Sequence, residues 1–123
     1  MDIIQGKRVL IVEDNGLIGE VIAETISAAG GWPLGPVVTE REALDMIDYN
    51  PGMPDAAVLD VRLDGLSFDV ATRLQTLGVP FIFASGHRDD VPDHLRGVHM
   101  CQKPYTSREL LSALENVLLV ARH

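Results

Sequence analysis

Short apolar runs alternate along the chain with longer segments in which apolar residues recur at helical spacing. The short runs predict strands, and they lie at residues 9–12, 33–38, 56–59, 80–84 and 98–101. Helices are predicted at residues 16–29, 39–47, 68–77 and 88–96 and from residue 106 onward. Strands that alternate with helices form parallel sheets covered on both faces, so the pattern predicts five successive strand–helix units.

The residues at the ends of these segments agree with the pattern. Asn15 or Asp14 can cap the first helix, and two glycines end it. Thr39 and Thr106 each precede a glutamate by three positions, which is the spacing of a helix-opening capping box. Two prolines remove backbone donors from the second strand, which favours an edge position for that strand.

The composition limits the class of protein. The chain has 123 residues, 46% of them apolar, which suits one domain over 1–123 with its core at about residues 7–119. The net charge of −8 argues against binding to nucleic acid or to an anionic membrane. The single cysteine, Cys101, forms no disulfide within the chain, and the apolar run at residues 9–12 is too short to cross a membrane. We therefore expect a cytoplasmic protein.

Polar residues follow four of the five predicted strands. Glu13 and Asp14 follow the first strand, Asp60 the third, Ser85 the fourth and Lys103 the fifth. Ligands bind at the carboxyl ends of parallel strands in such sheets, and we expect these side chains to converge there. Three neighbouring carboxylates repel one another, and a hard divalent cation relieves that repulsion. Mg²⁺ fits because it binds a few carboxylates and keeps waters that a phosphate can displace.

Four segments resemble the receiver domain of bacterial two-component response regulators. They are Val9-Leu10-Ile11-Val12-Glu13-Asp14-Asn15, Val58-Leu59-Asp60-Val61-Arg62-Leu63-Asp64-Gly65, Phe81-Ile82-Phe83-Ala84-Ser85-Gly86 and Lys103-Pro104-Tyr105. The resemblance implies a flavodoxin-like (βα)5 three-layer sandwich with a five-stranded parallel sheet of order 2-1-3-4-5. The run at strand four also resembles a subgroup of stand-alone receivers, and we expect a single-domain regulator with no output domain.

The resemblance further implies how the chain would work. Asp60 would accept a phosphoryl group from a histidine kinase or a histidine phosphotransfer protein, in a Mg²⁺-dependent reaction. The chain would not be an enzyme beyond catalysing its own phosphorylation and dephosphorylation. It would signal through a downstream protein partner, as a monomer or a weak dimer.

The family pattern also assigns the remaining site residues. Asp14 would bind Mg²⁺ directly together with Asp60, Glu13 would act mainly through water, and Arg62 would contribute its backbone carbonyl. Lys103 and Ser85 would contact phosphoryl oxygens, and the peptide bond between Lys103 and Pro104 would be cis. Tyr105 would pack against the loop, and Gly86 would leave the site open to water.

One position departs from the family pattern. Many receivers carry an aromatic residue three positions before the lysine, as part of a switch, and this chain has Met100 there. Methionine either fills the same gap or serves as an ordinary core residue. The aromatic switch is therefore in doubt, and we expect phosphorylation to act through Ser85 and the segment at residues 88–96 instead.

Three other functions compete with this interpretation. A Mg²⁺-dependent phosphohydrolase with an aspartyl-phosphate intermediate generally needs a second acid two residues after the nucleophile, where this chain has Arg62. A flavin or nucleotide binder needs a glycine-rich phosphate loop after the first strand, and Asn15-Gly16 is too little. A degenerate receiver that binds partners without phosphate is disfavoured because the set of site residues is intact, namely Asp14, Asp60, Ser85 and Lys103.

Overall fold

The computed structural model describes residues 3–49, 53–60, 68–85 and 91–121. Five parallel strands form one sheet, namely β1 (Arg8–Val12), β2 (Trp32–Val37), β3 (Ala56–Leu59), β4 (Phe81–Ser85) and β5 (Met100–Gln102). Their spatial order is β2-β1-β3-β4-β5, which confirms the predicted order and the edge position of the proline-containing second strand. This order places β1 and β3 side by side at the centre of the site described below.

Four α-helices lie in the described part of the chain: α1 (Gly16–Ala28), α2 (Glu40–Tyr49), α3 (Asp69–Leu77) and α4 (Ser107–Ala121). Asn15 caps α1, because its side-chain oxygen accepts hydrogen bonds from Leu17 N at 3.0 Å and Ile18 N at 3.1 Å. The predicted capping box at Thr106 forms in full, because Glu109 N donates to Thr106 Oγ1 and Thr106 N donates to Glu109 Oε1. At Thr39 only half of the box forms: Glu42 N donates to Thr39 Oγ1, whereas Glu42 Oε1 accepts from the Thr39 hydroxyl and not from its backbone N–H. None of these helices is both long and apolar enough to span a bilayer.

The predicted helix at residues 88–96 is wrong over its described part. Residues 88–90 lie outside the described residues, and only a short 3-10 helix, Asp93–Leu95, forms after them. Pro92 has an extended backbone conformation and cannot donate an intrahelical hydrogen bond, which explains why no α-helix runs through it. The backbone N–H of Val98 closes this turn on Leu95 O at 3.1 Å, so β5 starts later than predicted, at Met100.

The core lies in two layers, one on each face of the sheet. Alternate residues of β1 point to opposite faces, so Leu10 and Val12 pack with α2 and α3, whereas Val9 and Ile11 pack with α1 and α4. All four residues are at most 1% exposed. This burial on both faces explains why the β1 sequence is apolar throughout and fixes the position at which the strand ends.

Candidate functional site

The carboxyl ends of β1 and β3 bring three carboxylates together. Val12 and Leu59 are paired at the ends of these strands, and Asp60 N donates a hydrogen bond to Val12 O at 2.9 Å. Carboxylate oxygens of Glu13, Asp14 and Asp60 all lie within 4.8 Å of one another. The convergence predicted from the strand ends is therefore present for these three residues.

Glu13 is the most enclosed member of this cluster, which we call the acidic pocket. It is 1% exposed, and its Oε2 accepts a hydrogen bond from Asn15 N at 3.2 Å. Its Oε1 has no donor within hydrogen-bond distance among the described residues, and Lys103 Nζ lies 3.6 Å away. Burial, followed by the hydrogen bond and negative charge of Asp60, raises the pKa of Glu13 to about 8, although the Asn15 N–H and the charge of Lys103 act to lower it.

Lys103 and Tyr105 approach this pocket from the loop between β5 and α4. The Lys103 side chain is half-buried, and the peptide bond to Pro104 is cis, as the family pattern implies. Tyr105 packs against the core layer that contains α1 and α4, in agreement with the expected packing role. Burial raises the pKa of the Tyr105 phenol to about 12, and the negative charges of Glu13 and Asp60 contribute to the same effect. The phenol therefore stays neutral at physiological pH.

The described residues of the acidic pocket fit a hard divalent cation. They offer carboxylate oxygens, which are the ligands that Mg²⁺ prefers. The buried Oε1 of Glu13, without a hydrogen-bond donor, is a position that a cation or a cation-bound water can satisfy. Asp14 is exposed beside it, so the cluster is open to solvent on one side.

The predicted roles of Arg62, Ser85 and Gly86 stay predictions. Arg62 and Gly86 lie outside the described residues. The backbone of Ser85 ends β4 opposite Gln102, and the contact of its hydroxyl with a phosphoryl group stays a prediction. Met100 is 9% exposed and lines a cavity of about 230 Å³ together with Phe83 and Leu95.

The sequence interpretation missed a second feature next to the pocket. Leu17 and Val21 belong to the apolar pattern of α1, yet they are 81% and 58% exposed. They line an apolar groove of about 330 Å³ between α1 and α4, which also reaches Lys103 and Tyr105. The signal was available, because α1 carries more apolar residues than one buried face can hold.

Asn15 is a second residue whose role was only partly predicted. The sequence identified it as a helix cap, and the structure adds the hydrogen bond from its backbone N–H to the Glu13 carboxylate. This hydrogen bond depends on the folded conformation of the loop, which brings the Asn15 N–H close to the Glu13 side chain. Spacing alone therefore gave no signal for it.

Comparison with known proteins finds relatives along almost the whole chain, although no family model matches it. The uncharacterized transcriptional regulatory protein YbdJ of Bacillus subtilis is 30% identical over 121 residues, which are 93% of this chain and 52% of that protein. The chain therefore spans about half the length of this curated relative.

Two solved structures are similar over nearly the full length of both chains. SdrG from Sphingomonas melonis is 35% identical with a TM-score of 0.77, and the match covers 97% of this chain and 99% of SdrG. The receiver domain of the response regulator PhyR from Erythrobacter litoralis shares the fold, with a TM-score of 0.80 at 20% identity over 94% of this chain and 92% of that domain.

Proposed function

The chain belongs to the receiver-domain family of two-component response regulators, and we propose that it accepts a phosphoryl group on Asp60 from a histidine kinase or a histidine phosphotransfer protein. The observation that carries this proposal is the convergence of Glu13, Asp14 and Asp60 at the ends of β1 and β3, with Lys103 at the same pocket. Receiver domains are signalling domains, and their output is a change in protein binding.

In the proposed reaction, a carboxylate oxygen of Asp60 attacks the phosphorus of phosphohistidine. A P–O bond forms, the P–N bond breaks, and the histidine nitrogen leaves with the bonding electron pair. When its other ring nitrogen carries a proton, the leaving group is neutral imidazole. Attack by water on the resulting acyl phosphate releases inorganic phosphate and restores Asp60, so the chain catalyses only its own phosphorylation and dephosphorylation.

Mg²⁺ is the proposed cofactor, because the acidic pocket offers hard oxygen ligands. Asp14 and Asp60 would hold the ion directly, Glu13 through a water, and Arg62 through its backbone carbonyl. When bound, the ion neutralises negative charge on the phosphoryl oxygens. Lys103 supplies a second positive charge from the protein itself, and we propose that Ser85 donates its hydroxyl to a phosphoryl oxygen.

We also propose that the phosphohistidine donor binds along the apolar groove between α1 and α4. The groove runs from Leu17 and Val21 to Lys103, whose ammonium already contacts Glu13 in the acidic pocket. A helical partner seated there brings its histidine to the mouth of the pocket. Val21→Asp is expected to slow transfer from a cognate phosphodonor protein, whereas phosphorylation by a small acyl phosphate stays unchanged.

For the output we propose binding of this receiver domain to a downstream protein partner, with the domain monomeric or weakly dimeric. We place it in the cytoplasm because histidine kinases draw their phosphoryl group from ATP. A solution structure of SdrG is described as a BeF3-activated conformation, which supports a similar activation test on this chain.

The decisive experiment is intact mass spectrometry after incubation with Mg²⁺ and a small acyl phosphate. The proposal expects one phosphoryl adduct on the wild-type chain and none on Asp60→Asn or after chelation of Mg²⁺. Asp45→Asn is the matched control, because Asp45 is exposed on α2, far along the chain from the acidic pocket, and forms an ion pair with its neighbour Arg41. An adduct that survives Asp60→Asn would contradict the assignment of the phosphoacceptor.

A further inference from the structure

The edge strand β2 carries a bulge that faces α1. Leu10 pairs with Leu34 and Val12 pairs with Val37, so β2 holds one more residue than β1 over this interval. The extra length falls at Gly35 and Pro36, and Gly35 has a φ of +98°. Bulges of this kind re-aim the residues next to them, and here Pro36 is turned toward α1.

Gly19 of α1 lies against the ring of Pro36 and leaves no room for a side chain. A Cβ at this position would lie 2.6 Å from Pro36 Cβ, 2.9 Å from Pro36 Cγ and 3.7 Å from Glu13 Cβ. The first two distances are far inside van der Waals contact, and a proline ring cannot rotate away. Any larger residue at position 19 therefore forces α1 and β2 apart.

A chain of hydrogen bonds connects this contact to the carboxylate of Glu13. Gly19 N donates to Asn15 O at 2.9 Å, and Asn15 N donates to Glu13 Oε2 at 3.2 Å. Glu13 N donates to Val37 O at 3.0 Å, directly after Pro36. These contacts form a closed ring, because Val37, which binds Glu13, is the chain neighbour of Pro36, which contacts Gly19.

We propose that Gly19 is a positioning residue for the acidic pocket: its missing side chain lets α1 approach the β2 bulge closely enough to orient the Glu13 carboxylate. The proposal rests on the proposed function only for the identity of the ion, Mg²⁺. Partners of a metal-site carboxylate typically change metal affinity by 10- to 100-fold when they are altered. A displacement of the first turns of α1 moves the Asn15 N–H that binds Glu13, so we expect it to weaken the binding of Mg²⁺ to a similar degree.

The test compares Gly19→Ala with Gly16→Ala, the same change on the same helix at a position where a Cβ meets nothing within 4 Å. Mg²⁺ affinity is measured by calorimetric titration at a temperature where all variants are folded. We expect Gly19→Ala to bind Mg²⁺ about ten-fold more weakly than wild type and Gly16→Ala to stay within about two-fold. A purely structural role would lower the melting temperature of Gly19→Ala and leave its Mg²⁺ affinity unchanged, which would overturn the proposal.

A second measurement needs no metal. In ¹H–¹⁵N spectra of the metal-free protein, we expect the Asn15 amide proton to lose its hydrogen-bonded shift and its exchange protection in Gly19→Ala but not in Gly16→Ala. An unchanged Asn15 amide would overturn the proposal. If wild type binds no Mg²⁺, the proposed cofactor fails, and this measurement still decides on the positioning role.

Asn15→Ala covers the case in which Gly19→Ala does not fold. It removes the cap that ties Asn15 to the start of α1, while Gly19 and Pro36 keep their contact. Thr39→Ala is its control, because it removes an equivalent cap from α2. Alanine keeps the backbone hydrogen bonds of position 15 but loses the cap that holds this backbone in place. We therefore expect weaker Mg²⁺ binding in Asn15→Ala only, and equal affinities in both variants would refute the proposed link between α1 and Glu13.

Discussion

Lys103 Nζ lies 3.6 Å from Glu13 Oε1, although Lys103 follows β5 at one edge of the sheet and Glu13 follows β1, beyond β4 and β3. The lysine therefore reaches across two strand ends to the buried carboxylate. Its positive charge lowers the pKa of Glu13, against the larger effect of burial. Among the described residues, the pocket thus holds one cationic side chain beside three carboxyl groups. The carboxylates favour the binding of a cation, whereas the lysine opposes it and favours the binding of a phosphoryl group.

Lys103→Gln is expected to separate these effects. Loss of the ammonium removes a partner of the phosphoryl oxygens, so phosphorylation by a small acyl phosphate should slow by about 100-fold. The Lys103 ammonium also repels a cation bound in the acidic pocket, so without it Mg²⁺ should bind as tightly as in wild type or more tightly. Mass-spectrometric time courses and calorimetric titration measure the two quantities.

The chain offers a matched control for this substitution in Lys7, its other lysine, which lies before β1 at the opposite end of the sheet. Lys7→Gln should change neither quantity. A parallel loss of Mg²⁺ affinity and phosphorylation rate in Lys103→Gln would indicate a general collapse of the pocket and would contradict the assigned role.

Glu13 should make the protein less stable as the pH rises. Its pKa is about 8 in the folded protein against 4.5 for the unperturbed group, so the folded state keeps a proton that the unfolded state releases between these values. Stability is then unaffected below about pH 4.5, falls as the pH rises toward 8, and levels off above it. The loss amounts to a few kcal/mol, at about 1.4 kcal/mol for each unit of difference in pKa.

Urea denaturation without divalent cations, at several values between about pH 5 and pH 8, measures this loss. Glu13→Gln carries no titrating proton and should show a much shallower fall, so the difference between the two proteins isolates this residue. Added Mg²⁺ should restore part of the wild-type stability at pH 8, and it should stabilise the variant as well, because the variant keeps Asp14 and Asp60, the proposed direct ligands. Parallel pH profiles for the two proteins would show that Glu13 ionises normally when buried.

The positions of the strands along the chain and the three clustered carboxylates were predictable because both depend on local patterns, whereas the spatial order of the strands came from the family resemblance. Residues 9–12 are all apolar, and the charged residue Glu13 follows them directly. The same change from apolar to charged residues therefore marks both the end of β1 and the first residue of the pocket. The capping boxes at Thr39 and Thr106 likewise depend on residues three positions apart. Such signals need no knowledge of the tertiary structure.

The errors concern features that depend on contacts between distant segments. Pro92 interrupts the predicted helix at residues 88–96. The polar residues around it are typical of an exposed helix, but a proline within such a segment excludes the helical hydrogen bond at its own position. The sequence of α1 shows that it has more apolar residues than one face can bury, but which of them stay exposed, Leu17 and Val21, depends on where α4 packs against α1. The pairing of Gly19 with Pro36 joins residues on a helix and an edge strand, and no spacing rule connects them.

Met100→Phe should be tolerated, because Met100 lines a cavity of about 230 Å³ and pairs across the strands with Phe83. Phe83 already packs edge to face with Phe81 and Phe68, so a further ring meets an aromatic neighbour. We expect the free energy of unfolding to change by less than about 1 kcal/mol. Ile82→Phe is the control on the opposite face of β4, where the side chain is fully enclosed, and it should cost about 1–3 kcal/mol. A similar loss for both variants would show that the cavity cannot accept an aromatic side chain.

Gly35→Ala should be far more destabilising than Gly78→Ala, although both glycines have a positive φ. Gly78 ends α3 with φ +75°, and a Cβ there meets nothing within 4 Å. Alanine should therefore lower the free energy of unfolding only by the energy of the left-handed conformation, about 1 kcal/mol. At Gly35, with φ +98°, a Cβ would also lie 2.6 Å from Val37 N and 3.0 Å from Ile11 O, which are backbone atoms of the paired strands.

Relief of that clash requires β2 to move away from β1 at the bulge. Because Glu13 N donates to Val37 O, the same movement should disturb the acidic pocket. Urea denaturation is expected to give a loss at Gly35→Ala at least about 2 kcal/mol larger than at Gly78→Ala, since backbone strain and a steric clash add at one site. Equal losses at the two glycines would mean that the edge strand shifts freely, and would count against a rigid link between β2 and Glu13.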